Sequence, residues 1–533
     1  MNEPVHTLPP LPPAEAGGTP GWLNGLAVLV LGLGDSGLAM ARWCANAGAQ
    51  LQVWDSREAP PQAQALAEQL PQVQRLTGPL DPALAAAVQL VLKSPGLAPH
   101  EAAIAPLLAA ARERGLAVMG ELDLFVRALA ELKAGQGYAP KLLAVTGTNG
   151  KTTTTAMAAL LVERAGRRVA TAGNIGPSLL DTLARAVAAP REAWPEVWVL
   201  ELSSFQLEGG GTGVAGFEPD AAVVLNLSQD HLDWHGSMAA YAAAKARIYG
   251  AQAVMVVNRD DALVEAMVPP PVIPKGRKTP TEAPRKVLRF GLAAPNVPGE
   301  FGLVVENGMA WLVRALPEEE GARRKKDEPA EIHLQRLMPA DALRVRGRHN
   351  AANALAALAL ATAIDCPLAP MLHGLREYRG ERHRTEPVGA VGGVSAVDDS
   401  KGTNVGATVA AIEGLGADLA PHKLLLILGG DGKGQDFSPL VAPLMRFARA
   451  VALIGRDAGP IDAALAELAL ARETHADLPA AVAWCFDQAE PGDTVLLSPA
   501  CASLDMFRNY GHRAEVFIQA VQALAAERGE LAS

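Results

Sequence analysis

The 533-residue chain has four cysteines, Cys44, Cys366, Cys485 and Cys501. They are too few and too scattered for a disulfide framework or a C-x-x-C metal or redox pair, so reduced thiols in a cytoplasmic compartment are expected. It has no excess of positive charge: 47 Lys and Arg stand against 57 Asp and Glu, a formal net charge of -10. That excludes the broad basic surface of a nonspecific nucleic-acid binder. Long apolar runs are missing too. The longest uncharged apolar stretch, Ala351–Ile364, covers 14 residues, short of the roughly 20 needed to span a bilayer. The opening MNEPVHTLPPLPPAEAGGTPG has neither the basic start nor the apolar segment of a secretory signal, and its prolines suit a disordered arm over residues 1–22.

Low-complexity character is also absent. Gly 51 and Pro 40 make up about 17% of the chain, below the roughly 25–30% typical of such sequence. Hydrophobic residues are 49%, and at roughly 150 residues per domain the length predicts three or four folded domains.

The segment LAVLVLGLGDSGLAMARWCANAGAQLQVWD, Leu26–Asp55, reads as apolar strand, glycine turn, helix and second strand, a β-α-β unit. A second such unit follows the linker-like Ala134–Pro140: strand Leu142–Thr146 runs into the loop Gly147–Lys151 and then a helix. VWVLELSSFQL and AAVVLNLSQDHLDWH each deliver polar residues at the carboxyl end of an apolar strand, the edge where open α/β sheets place ligands. Residues Pro269–Asp341, rich in proline and mixed charge, read by default as solvated loops, with disordered insertions between short strands as the alternative. Beyond the Ala-rich helix Asn350–Ile364, strands and helices alternate again through VSAVDDS, KLLLILGG, AVALIG and TVLLSPA. The predicted fold class is α/β with three consecutive doubly wound domains: a Rossmann-like one at 23–138, a P-loop-type ATPase at 139–380 and a Rossmann-like one at 381–533.

Gly147-Thr148-Asn149-Gly150-Lys151-Thr152-Thr153 lies at a strand-to-helix turn. Its backbone amides can hold phosphate oxygens, Lys151 can reach the outer phosphates and the Thr152 hydroxyl can ligate Mg²⁺. It departs from the usual P-loop in having Val145 where a first glycine would stand. Glu201 and Asp230-His231 follow strands and can meet a nucleotide's metal ion, whereas Lys245 in YAAAKARIY reads alone as a helix-surface lysine. Gly32, Gly34 and Gly37 with Asp55 match a dinucleotide fingerprint, which a dehydrogenase and a binder of another nucleotide conjugate share. In the third unit, DDSKGTN (Asp398–Asn404), GGDGKG (Gly429–Gly434) and SPACASLDMFRNY (Ser498–Tyr510) each follow a strand. Lys401, Thr403, Lys433 and Ser503 there suit a small acidic substrate.

Together these residues resemble the Mur ligase family. TGTNGKTTT, ELSSFQL and DHLDWHG with YAAAKARIY resemble the family at large, while DSKGTNVGAT, GGDGKG and LLSPACASLDMF resemble its D-glutamate-adding branch. The resemblance implies an ATP-dependent carboxylate–amine ligase of cytoplasmic peptidoglycan precursor synthesis, and hence of cell wall biogenesis, cell shape and division. Its substrates would be UDP-N-acetylmuramoyl-L-alanine and D-glutamate, joined through an acyl phosphate with two Mg²⁺ ions. Lys151, His231 and Lys245 would be catalytic. ATP would meet Gly147–Thr153, Asn350, Asn353, Arg384 and Asp399; the metals would meet Thr152, Glu201, His231 and Lys245, the last as a carbamate. The uridine diphosphate end would meet Asp35, Ser36, Asp55, Ser56 and Arg57, with Asn174 touching the substrate further along. D-glutamate would meet Lys401, Thr403, Lys433, Ser503 and Tyr510. Tyr510 replaces an expected phenylalanine and Gly402 an expected alanine. A monomer with a hinge near Tyr378–Glu381 completes the expectation.

Overall fold

A computed structural model describes residues 21–210, 213–270, 285–317 and 332–530; the predicted arm lies almost wholly outside them. Three sheets follow one another along the chain. The first contains β1 (Ala27–Leu31), β2 (Gln50–Trp54), β3 (Gln74–Leu76), β4 (Leu90–Lys93) and β5 (Ala117–Met119), all parallel in the order β3-β2-β1-β4-β5. β1 is an almost continuous buried run because helices cover both faces of a parallel sheet. Its exit turn needs glycine: Gly32 has φ +89°, and a Cβ on Gly37 would lie 1.9 Å from the Gly32 carbonyl oxygen. The helix Asp35–Asn46 therefore starts hard against the strand end.

The second sheet contains β6 (Lys141–Thr146), β7 (Val169–Gly173), β8 (Val197–Glu201), β9 (Ala221–Val224), β10 (Val254–Asn258), β11 (Val287–Phe290), β12 (Phe301–Glu306), β13 (Met309–Pro317) and β14 (Ile332–Pro339). Their order is β14-β13-β12-β11-β10-β9-β6-β8-β7. Of the two readings of Pro269–Asp341, the described residues depart from continuous loops and take the one with strands. Its described residues add an antiparallel edge, β12-β13-β14, to a parallel sheet. The region's charge and proline content left the number of strands, four, and the Asn-Gly hairpin unread. Asn307 (φ +52°) and Gly308 (φ +79°) are both left-handed, as a type I′ turn requires. The more charged parts of the region, 271–284 and 318–331, lie outside the described residues.

The third sheet contains β15 (Glu386–Val391), β16 (Val394–Asp398), β17 (Leu424–Gly429), β18 (Ala448–Ile454), β19 (Ala471–Thr474) and β20 (Thr494–Leu497), in the order β15-β16-β20-β17-β18-β19. All pairs are parallel except the β15–β16 hairpin.

The cores show how the sheets are joined. One continuous apolar cluster runs from the first sheet into one face of the second, and Phe125 and Trp198 meet edge-to-face across it at 5.1 Å. The third sheet keeps its own clusters, one on each face. The predicted linker at Ala134–Pro140 is corrected accordingly: the helix Glu121–Gln136 runs through its first half and ends on left-handed Gly137. Tyr138 is then pinned, its hydroxyl donating to the Pro195 carbonyl and accepting from Trp198 Nε1. A single glycine near an exposed helix end is tolerated, so Gly135 was a weak breaker.

Candidate functional site

The strand β6 feeds the glycine loop directly into the helix Lys151–Arg164. Gly147 has φ +153°, and a Cβ there would press on Leu225; Gly150 has φ +81°, and a Cβ there would lie 2.5 Å from Asn353 Oδ1. No side chain caps this helix, so its first amides remain free for an anion, and the helix dipole favours one. Lys151 folds back over the loop, its Nζ donating to the carbonyls of Gly147 (2.9 Å) and Thr148 (2.8 Å). Burial pulls its pKa down, against the opposing pull of Glu201 and Asp230.

Around this loop stand the residues expected to meet metal. Glu201 ends β8, is buried, and accepts a hydrogen bond from Asn174 Nδ2 at 3.0 Å. His231, left-handed at φ +53°, sits edge-on to Phe205 with Nε2 3.5 Å from Asp230 Oδ2. Burial lowers its pKa, which favours the neutral imidazole a metal needs. Lys245 corrects the surface-lysine reading: it is 2% exposed. Its Nζ donates to the Gly147 carbonyl (2.8 Å) and to Thr146 Oγ1 (3.3 Å), over the ring of Tyr241. The small alanines of Met238–Ala246 let this helix approach the loop on a side that looks neutral in sequence. Burial, reinforced by the nearby Lys151, pushes the Lys245 pKa well below the usual lysine range. Thr152, Glu201 and His231 line one cavity of about 320 Å³. A buried carboxylate, a hydroxyl and an imidazole are a donor set that fits a hard divalent cation; an unmodified ammonium at Lys245 is not a ligand.

Lys401, Thr403 and Lys433, from the third unit, line the same cavity. Lys401 stacks over Tyr510 at 4.0 Å, and burial lowers its pKa to about 8, with Arg384 and Lys151 adding to the effect. Ser503 is buried and Tyr510 begins the last helix, Tyr510–Glu527; neither lines the cavity. Arg384 crosses between the third and second sheets, with Nη2 donating to Thr152 Oγ1 at 2.7 Å. The neighbouring His383 holds this loop in place through Asp398, Nδ1 to Oδ2 at 2.8 Å.

A larger cavity of about 870 Å³ opens beside the first and is lined by Asn149, Gly150, Thr153, Asn350, Asn353, Arg384 and Asp399. Asn353 Nδ2 donates to Asn350 Oδ1. Asp399 accepts from Ser498 Oγ and the Thr385 amide, and burial pushes its carboxyl up to about 7.

A third cavity, of about 740 Å³, lies over the carboxyl ends of the first sheet and is lined by Asp35, Ser36, Asp55, Ser56, Arg57 and Asn174. Asn174 lines both this cavity and the smallest one, so the two are neighbours. Asp55 is saturated: Oδ2 accepts from the Leu33 amide and Arg57 Nη2, and Oδ1 from the Arg57 amide and Nε. Burial would raise its pKa, but the bonds from Arg57 and Leu33 prevail and hold it at about 2. A carboxylate so occupied is poorly placed to take the ribose hydroxyls of NAD, which weighs against the dehydrogenase reading.

Sequence reasoning missed several residues here. Ser94, at the end of β4, lines the third cavity, and the strand-end logic that found Glu201 would have found it too. Arg42 bridges from the first unit to Asp181 of the second at 2.9 Å, and buried Glu121 accepts from Ser36 Oγ at 2.7 Å and the Leu180 amide at 3.1 Å. Such partners lie far apart in sequence and leave no local signal.

Comparison with known proteins places this geometry. Three family models match in succession: Mur ligase MurD-like N-terminal domain over 26–120, Mur ligase middle domain over 145–296, and Mur ligase glutamate ligase domain over 383–501. A UDP-N-acetylmuramoylalanine--D-glutamate ligase of Albidiferax ferrireducens is 58% identical over 504 residues, covering 94% of this chain and 97% of that one. The chain belongs to the Mur ligase family. A Burkholderia mallei protein of the same name is 57% identical over 513 residues, covering 94% of this chain and 98% of its own. Among solved structures, the MurF ligase of Thermotoga maritima in complex with ADP covers 95% of this chain and 96% of its own with a TM-score of 0.54 at 16% identity. The UDP-N-acetylmuramate-alanine ligase of the same organism covers 93% and 99% with a TM-score of 0.53 at 18% identity. At such identities the likeness is one of fold, the three-domain Mur ligase architecture found here.

Proposed function

We propose that this Mur ligase joins D-glutamate to UDP-N-acetylmuramoyl-L-alanine at the expense of ATP, in the cytoplasm and as a monomer. One observation carries the reading. One cavity is lined jointly by the phosphate loop, Glu201 and His231 of the second domain and by Lys401, Thr403 and Lys433 of the third, and it adjoins the first-domain cavity at Asn174. A long nucleotide-linked substrate can lie in the first-domain cavity with its far end at Asn174. ATP enters along the larger cavity, and an acidic amino acid meets the cations of the third domain. We take the domains as 23–138, 139–380 and 381–533.

In the first step a terminal carboxylate oxygen of the substrate attacks the γ-phosphorus of ATP, and the bond to the β,γ-bridging oxygen breaks to leave ADP. In the second step the neutral D-glutamate amine attacks the acyl phosphate carbonyl, the carbon–oxygen bond to the phosphate breaks, and the amide forms as the nitrogen's surplus proton passes to the departing phosphate. The protein's part is positioning and charge. The free amides at the start of Lys151–Arg164 hold phosphate oxygens, with Lys151 and Arg384 neutralising charge beside them. Asn350, Asn353 and Asp399 hold the rest of the nucleotide, and Asp35, Ser36, Ser56 and Arg57 hold the uridine diphosphate. Thr152 and Glu201 would hold one Mg²⁺, with His231 and Lys245, as a carbamate, serving a second; such ions supply charge neutralisation on the transferring phosphoryl group. Lys401, Thr403 and Lys433 take the carboxylates of D-glutamate, with Ser503 and Tyr510 behind them. The third sheet's separate cores favour rotation about Tyr378–Glu381, which closes the third domain on its substrates. Scattering that is unchanged by nucleotide plus substrates would contradict such closure.

The direct test is phosphate release from ATP and Mg²⁺ with UDP-N-acetylmuramoyl-L-alanine, with D-glutamate present or omitted. Release that needs both substrates supports the reading. Release with L-alanine, a diamino acid or a dipeptide in place of D-glutamate would move the chain to another activity of the family.

A further inference from the structure

We propose that Asn149 and Asn404 are a pair of positioning residues that dock the amino-acid domain onto the phosphate loop and set the place of the incoming amine. The proposal builds on the ligase reading but reassigns Asn149, which the sequence pattern placed among the ATP contacts. The backbone of Asn149 is already occupied: its amide donates to Asn226 Oδ1 at 2.8 Å, and its carbonyl accepts from Asn226 Nδ2 at 3.1 Å. Its side chain turns away from the loop and meets Asn404 in a reciprocal amide pair. Asn149 Nδ2 donates to Asn404 Oδ1 at 3.3 Å, and Asn404 Nδ2 donates to Asn149 Oδ1 at 3.1 Å. The two residues are 255 positions apart and lie in loops that follow strands of different sheets.

Asn404 is also the N-cap of the helix Val405–Leu419, its Oδ1 accepting from the Ala407 amide at 2.8 Å. It is 6% exposed. Glycine makes the approach possible: a Cβ on Gly406 would lie 2.4 Å from Ser228 Oγ and 3.3 Å from Asn149 Nδ2. The residues just before the pair are Lys401 and Thr403, which line the same cavity as Lys151. Seating Asn404 on the loop therefore fixes Lys401 and Thr403 relative to the phosphate loop. Two hydrogen bonds, made only when the domains meet, couple the amino-acid site to the nucleotide site.

The test separates docking from helix capping. Asn404→Ser keeps a good N-cap but is too short to reach Asn149. Asn404→Asp keeps the cap and the bond from Asn149 Nδ2 but loses the reciprocal donor. Steady-state kinetics on the full chain should show a KM for D-glutamate raised about tenfold in Asn404→Ser, with Asn404→Asp in between. The KM for UDP-N-acetylmuramoyl-L-alanine should stay within about twofold and the melting temperature should hold, because capping is retained. Asn149→Ala and the Asn149→Ala/Asn404→Ser double variant should lose no more than the worse single variant, since both remove the same pair. Multiplying effects in the double variant, or a wild-type KM in Asn404→Ser, would overturn the proposal. The wild-type protein run alongside keeps the two ideas apart: failure of D-glutamate-dependent phosphate release there counts against the ligase reading itself.

Discussion

The Nζ of Lys245 lies 2.8 Å from the carbonyl oxygen of Gly147, inside the protein and against the turn that carries the phosphate loop. The cost of burying an ammonium there pushes the Lys245 pKa well below the usual lysine range and so raises the share of neutral amine. A neutral amine can add to carbon dioxide, and the resulting carbamate would be an oxygen ligand where a lysine could not be one. Lys245→Ala should lower the rate of phosphate release by about a hundredfold to a thousandfold, the range seen when a group that stabilises transition-state charge is removed. Activity of the wild-type protein should fall in carbon dioxide-free buffer and return with bicarbonate. A rate indifferent to bicarbonate after exhaustive depletion would count against the carbamate.

Gly150 makes a sharper steric prediction. Its φ of +81° and the 2.5 Å approach of Asn353 Oδ1 to the site of a Cβ leave no room for a side chain. Gly150→Ala should raise the KM for ATP by about tenfold or more through displacement of the loop or of Asn353. The KM for D-glutamate should change little. Nucleotide titrations of the two proteins would decide it.

Arg57 occupies three of the four hydrogen bonds at Asp55. Arg57→Ala keeps the backbone amide bond but removes both guanidinium bonds to the buried Asp55 carboxylate, and should raise the KM for the UDP-linked substrate by about tenfold while leaving ATP binding intact. Parallel loss of affinity for both ligands would show that the pair supports the whole fold instead of the first-domain cavity.

Glu121 gives a stability prediction with a definite sign. Burial pushes its carboxyl from 4.5 up to about 7, against the bonds from Ser36 and Leu180. The folded state therefore holds this proton more tightly than the unfolded chain. The resulting stabilisation is fully present below pH 4.5 and is lost as pH rises towards 7. Glu121→Gln, which mimics the protonated acid, should grow more stable relative to wild type across that window, by up to about 3 kcal/mol. Melting curves of the two proteins at successive pH values check this; a constant difference would refute it.

The parts of the fold most legible in sequence were those whose signals are local. Leu26–Asp55 announces its β-α-β unit, TGTNGKT its phosphate loop, and strand ends pointed to Glu201 and His231. Lys245 was illegible by itself, because alanines surround it and make no amphipathic contrast. The Asn307-Gly308 hairpin was drowned by the charge around it. Arg42 with Asp181, Ser36 with Glu121, and Asn149 with Asn404 join distant segments, and only the folded chain brings them together.

If a substrate carboxylate is activated by phosphoryl transfer in the cavity that Lys151 and Lys401 line, one of its own oxygens leaves with the phosphate. Supplying UDP-N-acetylmuramoyl-L-alanine with both carboxylate oxygens labelled by ¹⁸O, together with ATP and D-glutamate, tests it most directly by mass spectrometry of the products. One label should appear in the released phosphate and one in the new amide. Phosphate free of label, with its new oxygen drawn from water, would contradict it.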